Sequence, residues 1–156
     1  MRLLLVFLFL SPFGLLGQSV GVYERYDDFE ARLKHGGDTL FVVNFWATWC
    51  KPCVGELPYL EELTNKTGVD KVKVLLVSID FKKDLEKRLI PFVQGKGLKS
   101  EVALLADSDT NSWIEKVDKT WDGAIPVTYL YKNGRKVFHK DKFKDFGALE
   151  SFVKSF

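Results

Sequence analysis

The sequence predicts a single α/β domain with a mixed central sheet and helices on both faces. Apolar runs of strand length alternate with helical periods along most of the chain, and an Asn-Gly pair separates two further apolar runs near its end. The 156 residues are 46% hydrophobic, which suits one domain with a core. The net charge is only +2 and no dense basic run is present, so we expect no nucleic-acid partner.

The first 17 residues have the pattern of a secretory signal peptide. Arg2 precedes an apolar stretch over 3–10, and small and turn-forming residues follow it. We expect cleavage after Gly17, which leaves residues 18–156 as a domain in the periplasm or another extracytoplasmic compartment. The alternative is an uncleaved amino-terminal membrane anchor, because Leu15 fits the small-residue cleavage rule poorly.

The first elements of the domain follow from apolar spacing. A helix is predicted over 26–37, capped by Asp27 or Asp28 and ended by a Gly-Gly pair. The apolar run 39–45 then has the length of a buried strand.

A second helix and strand continue the parallel unit. Residues 50–67 have a helical pattern that contains Pro58, which should kink the helix. Residues 71–80 form another strand, and the charged run 80–88 that follows is most simply a solvated helix face.

The remaining elements complete the sheet and its cover. We predict a helical insertion over 84–97 and a helix over 111–121, with a short apolar strand between them. Asn133-Gly134 favours a two-residue hairpin, and Asp145 is expected to cap a terminal helix.

The two cysteines of the chain, Cys50 and Cys53, lie where the first long strand gives way to a helix. The positive end of a helix dipole favours a thiolate, and such settings lower a cysteine pKa from about 8.5 to roughly 3.5–7.5. We predict that Cys50 attacks a substrate disulfide and that Cys53, one turn deeper, resolves the mixed disulfide. Pro52 fits the first helical turn, and Lys51 adds a positive charge with a modest modulating role.

The stretch FWATWCKPCVGELP at 45–58 resembles the active site of the thioredoxin superfamily, and the glutamate and proline after the second cysteine are similar to the exported TlpA/ResA-like branch. The later motifs follow in the order of that family over nearly the whole mature chain. The resemblance implies a thioredoxin-like fold with a helical insertion after the second core strand. It also implies a protein thiol-disulfide oxidoreductase that needs no cofactor, with Cys50 and Cys53 as its redox-active disulfide.

Further site residues come from the resemblance. Ile125-Pro126 matches the family's cis-proline, whose preceding residue faces the CxxC and binds substrate, and Trp49 flanks the same site. Asn44 stands where thioredoxin has a buried acid. Glu56, on the helix of the cysteines, is therefore the candidate catalytic acid, and burial would raise its pKa. The alternative is a solvent-exposed helix glutamate.

Two other classes of function stay open at this point, a CxxC-based copper chaperone and a non-catalytic thioredoxin-like binding domain. Two thiolates alone do not complete a zinc site, and Val54 after Cys53 excludes a CxxCH haem attachment site. His35 and His139 are not expected to be metal ligands. The family resemblance implies a membrane dithiol as electron donor and exported cysteine-containing proteins, such as apocytochromes, as substrates. We expect a monomer that acts as a reductase.

Overall fold

The structure is a computed structural model that describes residues 19–67 and 71–156, so the expected signal segment lies outside the described residues. Six strands form one sheet: Gly21–Tyr23 (β1), Leu40–Trp46 (β2), Val72–Ser78 (β3), Glu101–Leu105 (β4), Val127–Lys132 (β5) and Arg135–His139 (β6). Their order across the sheet is β1-β4-β3-β2-β5-β6. The first four strands in that order pair in parallel, and β5 and β6 pair antiparallel with their neighbours. The predicted mixed sheet is confirmed.

Helices cover both faces of this sheet. They are Tyr26–Lys34 (α1), Lys51–Thr67 (α2), Ile90–Lys96 (α3), Thr110–Val117 (α4) and Phe146–Lys154 (α5). The predicted insertion after β3 is present, and it consists of a 3₁₀ turn and a π-helical turn that lead into α3. None of the helices in the described ranges is both long and apolar enough to cross a membrane.

The central strand β2 divides the core into two layers because successive side chains point to opposite faces. Val42 and Trp46 pack in the layer that contains the cysteines and buried residues of α2 and α5. Phe41, Val43 and Phe45 pack in the other layer, against α1 and α4. The active-site helix is thereby held against the most buried strand of the sheet.

Trp113 and Trp121 belong to that second layer. Both are nearly fully buried and stack or tilt against Phe45, with ring centroids 5.7 and 5.1 Å away. The indole N–H of Trp121 donates to the carbonyl of Ala124 at 2.7 Å. Trp121 therefore supports the start of the segment that leads to Pro126.

The turn and terminal-cap predictions are confirmed at two places. Asn133 and Gly134 both have positive φ, 50° and 84°, which suits a two-residue hairpin between β5 and β6. The carboxylate of Asp145 accepts a hydrogen bond from the amide of Ala148 at 2.8 Å and caps α5.

Two local predictions differ from the structure, and one strand was not predicted. Arg25 precedes α1 as its cap residue without a side-chain hydrogen bond, and Asp27 and Asp28 lie inside the first turn, where their charges still suit the helix dipole. The run 80–88 is not a uniform solvated helix, because Asp80 is buried. The strand β1 was not predicted, since three residues are too few to show a period.

Two glycines provide a matched test of local backbone requirements. A Cβ on Gly55, inside α2, would lie 3.5 Å from the Lys142 ammonium, an ordinary contact. Gly97 ends α3 with φ 60°, a left-handed conformation that disfavours other residues. We expect Gly55→Ala to raise the free energy of unfolding by about 0.5–1 kcal/mol and Gly97→Ala to lower it by about 1 kcal/mol. Urea denaturation of both variants checks this, and equal shifts of the same sign would contradict it.

Candidate active site

Cys50 and Cys53 form a disulfide at the start of α2, with their Cα atoms 5.3 Å apart. Cys50 is the residue directly before the helix, and Cys53 lies in its first turn. The accessible fractions are 6% for Cys50 and 0% for Cys53. Of the two residues, only Cys50 keeps some contact with solvent, and its role as the attacking cysteine stays a prediction.

The helix start supplies a hydrogen bond to the accessible sulfur. The backbone N–H of Cys53 donates to Cys50 Sγ at 3.3 Å, in the way that a helix cap accepts from the third helical residue. Pro52 is the second residue of the helix, where its missing N–H removes no internal bond. Lys51 is exposed beside the pair. An amide directed at this sulfur stabilises negative charge on it once the disulfide opens.

Ile125-Pro126 faces the disulfide from the start of β5. The peptide bond between these residues is cis, and the carbonyl oxygen of Ile125 lies 3.8 Å from Cys50 Sγ. The sulfur has no hydrogen to donate while it is in the disulfide, so a hydrogen bond here forms only with the reduced thiol. The structure thus brings together three predicted residues, Cys50, Ile125 and Pro126.

Glu56 lies on the buried side of the active-site helix α2, with 1% of its surface exposed, so the alternative of a surface glutamate is wrong. One carboxylate oxygen accepts from the Asn44 amide at 2.7 Å, and the other accepts from the backbone N–H of Phe143 at 3.1 Å. Asn44 also donates to Thr128 Oγ1 at 2.9 Å. Glu56 therefore brings a carboxyl group to the strand position that the sequence leaves without an acid.

Burial raises the pKa of Glu56 above its ordinary value of 4.5. The hydrogen bonds from Asn44 and Phe143 and the charge of Lys142 act in the opposite direction, and desolvation is the largest effect. The group is on the same helix as Cys53, three positions along, where side chains share a face. Burial therefore makes this carboxylate bind a proton more readily than an exposed glutamate does.

Asp80 is a buried residue of the site region that sequence reasoning missed. Its carboxylate accepts hydrogen bonds from the Thr48 amide at 3.0 Å, the Thr48 hydroxyl at 2.7 Å and the Ser78 hydroxyl at 2.7 Å. Asp80 thereby fastens the segment that carries Cys50 to the end of β3. In the sequence, Asp80 stands at the end of an apolar strand. The charged residues that follow made it look like part of an exposed helix.

Other candidate residues lie as follows. Trp49 is 54% exposed directly before Cys50, whereas Trp46 is fully buried. His139 stacks on Phe143 with ring centroids 4.2 Å apart, and burial lowers the pKa of its imidazole. Among residues 19–67 and 71–156, no group of three or more His, Cys, Asp and Glu side chains is arranged to hold a metal ion.

Comparisons with known proteins agree with this geometry. The AhpC/TSA family model matches residues 24–140. A thiol-disulfide oxidoreductase ResA from Bacillus cereus (strain ZK / E33L) is 34% identical over 99 residues, which cover 63% of this chain and 51% of that protein. A thioredoxin from Ictalurus punctatus is 40% identical over 131 residues, covering 84% of this chain and 89% of that protein.

A solved structure supports the fold in the same way. The thioredoxin-related protein from Neisseria meningitidis serogroup B superposes with a TM-score of 0.65 at 19% identity, covering 79% of this chain and 88% of that one. The chain spans about half the length of the ResA relatives that it matches. The predicted resemblance to the ResA-like branch is confirmed, and the chain belongs to the AhpC/TSA family, with a thioredoxin-like fold.

Proposed function

We propose that this protein is a thiol-disulfide oxidoreductase that works through Cys50 and Cys53. The observation that carries the proposal is the unequal disulfide at a helix start, in which Cys50 is slightly accessible and Cys53 is fully enclosed. The ResA relatives named as thiol-disulfide oxidoreductases support the same chemistry.

The dithiol form donates two electrons in two exchanges. The Cys50 thiolate attacks one sulfur of a substrate disulfide, forms a mixed disulfide and releases the other substrate sulfur as a thiolate. Cys53 then attacks Cys50 Sγ, which reforms the disulfide seen here and releases the second substrate thiolate. The substrate is reduced by two electrons and the Cys50–Cys53 pair is oxidised by two. The Cys53 amide is directed at the Cys50 sulfur and stabilises the Cys50 thiolate that attacks in the first step.

Glu56 supplies the buried proton acceptor for the enclosed thiol. Cys53 must lose its proton to attack, and its sulfur has no contact with solvent. Glu56 lies in the same enclosed layer and is the carboxyl group that the cysteine helix carries there. The raised pKa makes its carboxylate a better proton acceptor than that of an exposed glutamate.

Whether the Cys50–Cys53 pair donates or accepts electrons depends on its own reduction potential and on that of its partner. We propose that the protein acts as a reductase. We place it outside the cytoplasm because the first 17 residues have a signal-peptide pattern. A membrane dithiol would then return electrons to the Cys50–Cys53 disulfide. Exported proteins with misoxidised cysteines, apocytochromes among them, fit as substrates, and the protein would act as a monomer.

The reduction potential of the Cys50–Cys53 couple tests this proposal. We expect equilibration with glutathione or dithiothreitol buffers to give a value near that of thioredoxin, about −270 mV, together with reduction of insulin disulfides. A value near about −120 mV would make the protein an oxidant. Absence of any reversible two-electron couple would contradict the oxidoreductase function itself.

A further inference from the structure

The buried amide of Asn44 uses both of its N–H groups and leaves its carbonyl oxygen unused. The N–H groups donate to Glu56 Oε1 at 2.7 Å and to Thr128 Oγ1 at 2.9 Å. Among residues 19–67 and 71–156, no donor reaches Asn44 Oδ1, although the side chain is fully enclosed. The amide is therefore held in place through its nitrogen, by Glu56 and Thr128.

Thr128 reaches Asn44 across the sheet. The two residues are register partners in the antiparallel pair of β2 and β5, so their side chains lie on the same face, and both are fully buried. Thr128 lies two residues after Pro126, and the Ile125 carbonyl before that proline lies 3.8 Å from Cys50 Sγ. The same segment of chain therefore carries the backbone that faces the disulfide and the hydroxyl that holds Asn44.

The hydrogen bond from Asn44 favours the ionised form of the Glu56 carboxyl, because a carboxylate is a stronger acceptor than a neutral carboxyl. If the amide turned over, Asn44 Oδ1 would face the carboxylate, and two negatively polarised oxygens would repel each other. Thr128 gives the amide nitrogen a second anchor. The nitrogen is thereby kept where it reaches Glu56.

We propose that Thr128 is a positioning residue for the second exchange, which acts through Asn44 to hold the Glu56 carboxylate as the proton acceptor. This rests on the proposed oxidoreductase function and adds a residue to its resolving step. In that step the proton leaves the Cys53 sulfur for a Glu56 oxygen. The electron pair left on the Cys53 sulfur forms the bond to Cys50 Sγ, and the bond from Cys50 to the substrate sulfur breaks.

Titratable or charged groups also lie around the Glu56 carboxyl on neighbouring elements: Cys53 on α2, Lys142 before α5 and His139 on β6. Lys142 acts on the carboxyl through its charge, and His139 is the register partner of Thr128. A substitution at Thr128 leaves these groups in the chain. A changed pH dependence in such a variant therefore reports on the link through Asn44.

Stopped-flow reaction of the reduced protein with dithio-bis-nitrobenzoate separates the two exchanges, because each exchange releases one coloured thiolate. The second release is intramolecular, so its rate is independent of the reagent concentration. Thr128→Val removes one anchor of the amide, so the carboxyl should stay protonated to a higher pH. We expect the pH at which the second release reaches half its maximal rate to rise by at least about 0.5, and the first-release rate to stay within about twofold. Thr128→Ser keeps the hydroxyl and should match the wild type.

Further variants show whether Thr128 acts through Glu56. Asn44→Ala breaks the same link at its other end and should raise the same midpoint at least as far, so the test does not depend on one buried substitution. Tyr129→Phe removes a buried hydroxyl from the next position of β5, in the other core layer, and should change neither release. In Glu56→Gln, which has no carboxyl to titrate, adding Thr128→Val should change the second release no further.

The outcomes separate this proposal from the function on which it rests. Failure of the wild type to reduce insulin disulfides would remove the oxidoreductase function and this proposal with it. If insulin is reduced but Thr128→Val leaves the pH dependence of the second release unchanged, the positioning role is wrong and the function stands. The same conclusion follows if Thr128→Val has an equal effect in the Glu56→Gln background, because a purely structural effect adds to that of Glu56→Gln.

Discussion

Cys53→Ser is expected to accumulate a mixed disulfide between Cys50 and its substrate, whereas Cys50→Ser is expected to accumulate none. The reason is geometric, because Cys50 is 6% exposed and Cys53 has no exposed surface. Removing the enclosed thiol leaves the first exchange intact and blocks the second. Both variants should lose insulin reduction, by at least about a hundredfold, since neither completes the two exchanges.

Alkylation of the reduced wild type provides an independent measurement. We expect iodoacetamide to modify Cys50 at least about tenfold faster than Cys53 at neutral pH, because reaction requires both thiolate character and access. Lys51→Ala serves as a control for the charge beside the pair, and it should change the rates much less than either cysteine substitution. Equal alkylation of both thiols, or trapping by Cys50→Ser, would reverse the assigned roles.

The fold was predictable where a local pattern determines an element. The run Leu40–Trp46 is buried on both faces and reads as a continuous apolar strand, and the Asn133-Gly134 pair matches the positive φ values that the hairpin requires. β1 shows the limit of this reasoning. Its three residues are held by pairing with β4 and by the hydrogen bond from Ala106 to Tyr23, and no local pattern encodes partners so distant in sequence.

The site was predictable in part for the same reason. The spacing of Cys50 and Cys53 places both on one helix, and that relation is local. The side on which Glu56 lies is settled by Asn44, on β2, and by Phe143, 87 residues away. Periodicity could not decide it, since the apolar face of the helix at Leu57 and Leu60 borders the glutamate.

The burial of Asp80 could not be predicted from the residues that follow it in the sequence. The residues after it are mostly charged and exposed, so the run 80–88 has the composition of a solvated helix. The Asp80 carboxylate instead accepts hydrogen bonds from Thr48, which lies 32 residues earlier and satisfies its buried oxygens. Only the pairing of β2 with β3 brings these two residues together.

Glu56→Gln is expected to lower the pKa of at least one active-site thiol by about one unit and to flatten the pH dependence of disulfide exchange. A carboxylate near the cysteines disfavours a second negative charge, so replacing it with a neutral amide makes thiolate formation easier. The two thiols and the carboxyl titrate as a coupled group, and the shift is therefore able to appear on Cys50 instead of Cys53. Thiol absorbance and exchange rates measured from about pH 5 to about pH 10 check this.

The pH dependence of the melting temperature gives a second test of Glu56→Gln, and the direction of the expected change is defined. Burial raises the pKa of Glu56 in the folded protein above its unfolded value. Its contribution to stability is therefore complete below the unfolded pKa and is lost as the pH rises through the folded pKa. Glu56→Gln has no such loss, so its melting temperature relative to the wild type should rise as the pH increases above the ordinary glutamate pKa of 4.5.

A matched control separates this effect from a general change in helix charge. Glu62 lies on the same helix, is partly exposed and pairs with Lys66 at 2.8 Å. Glu62→Gln removes an equal charge from α2 but leaves the buried layer unchanged, so its thiol titration should match the wild type within about 0.2 units, as a screened surface charge predicts. If Glu56→Gln and Glu62→Gln give the same titration curves and the same pH dependence of melting, the carboxyl of Glu56 does not interact with the thiols. Proton exchange with Cys53 would then have to proceed through solvent that enters when the disulfide opens.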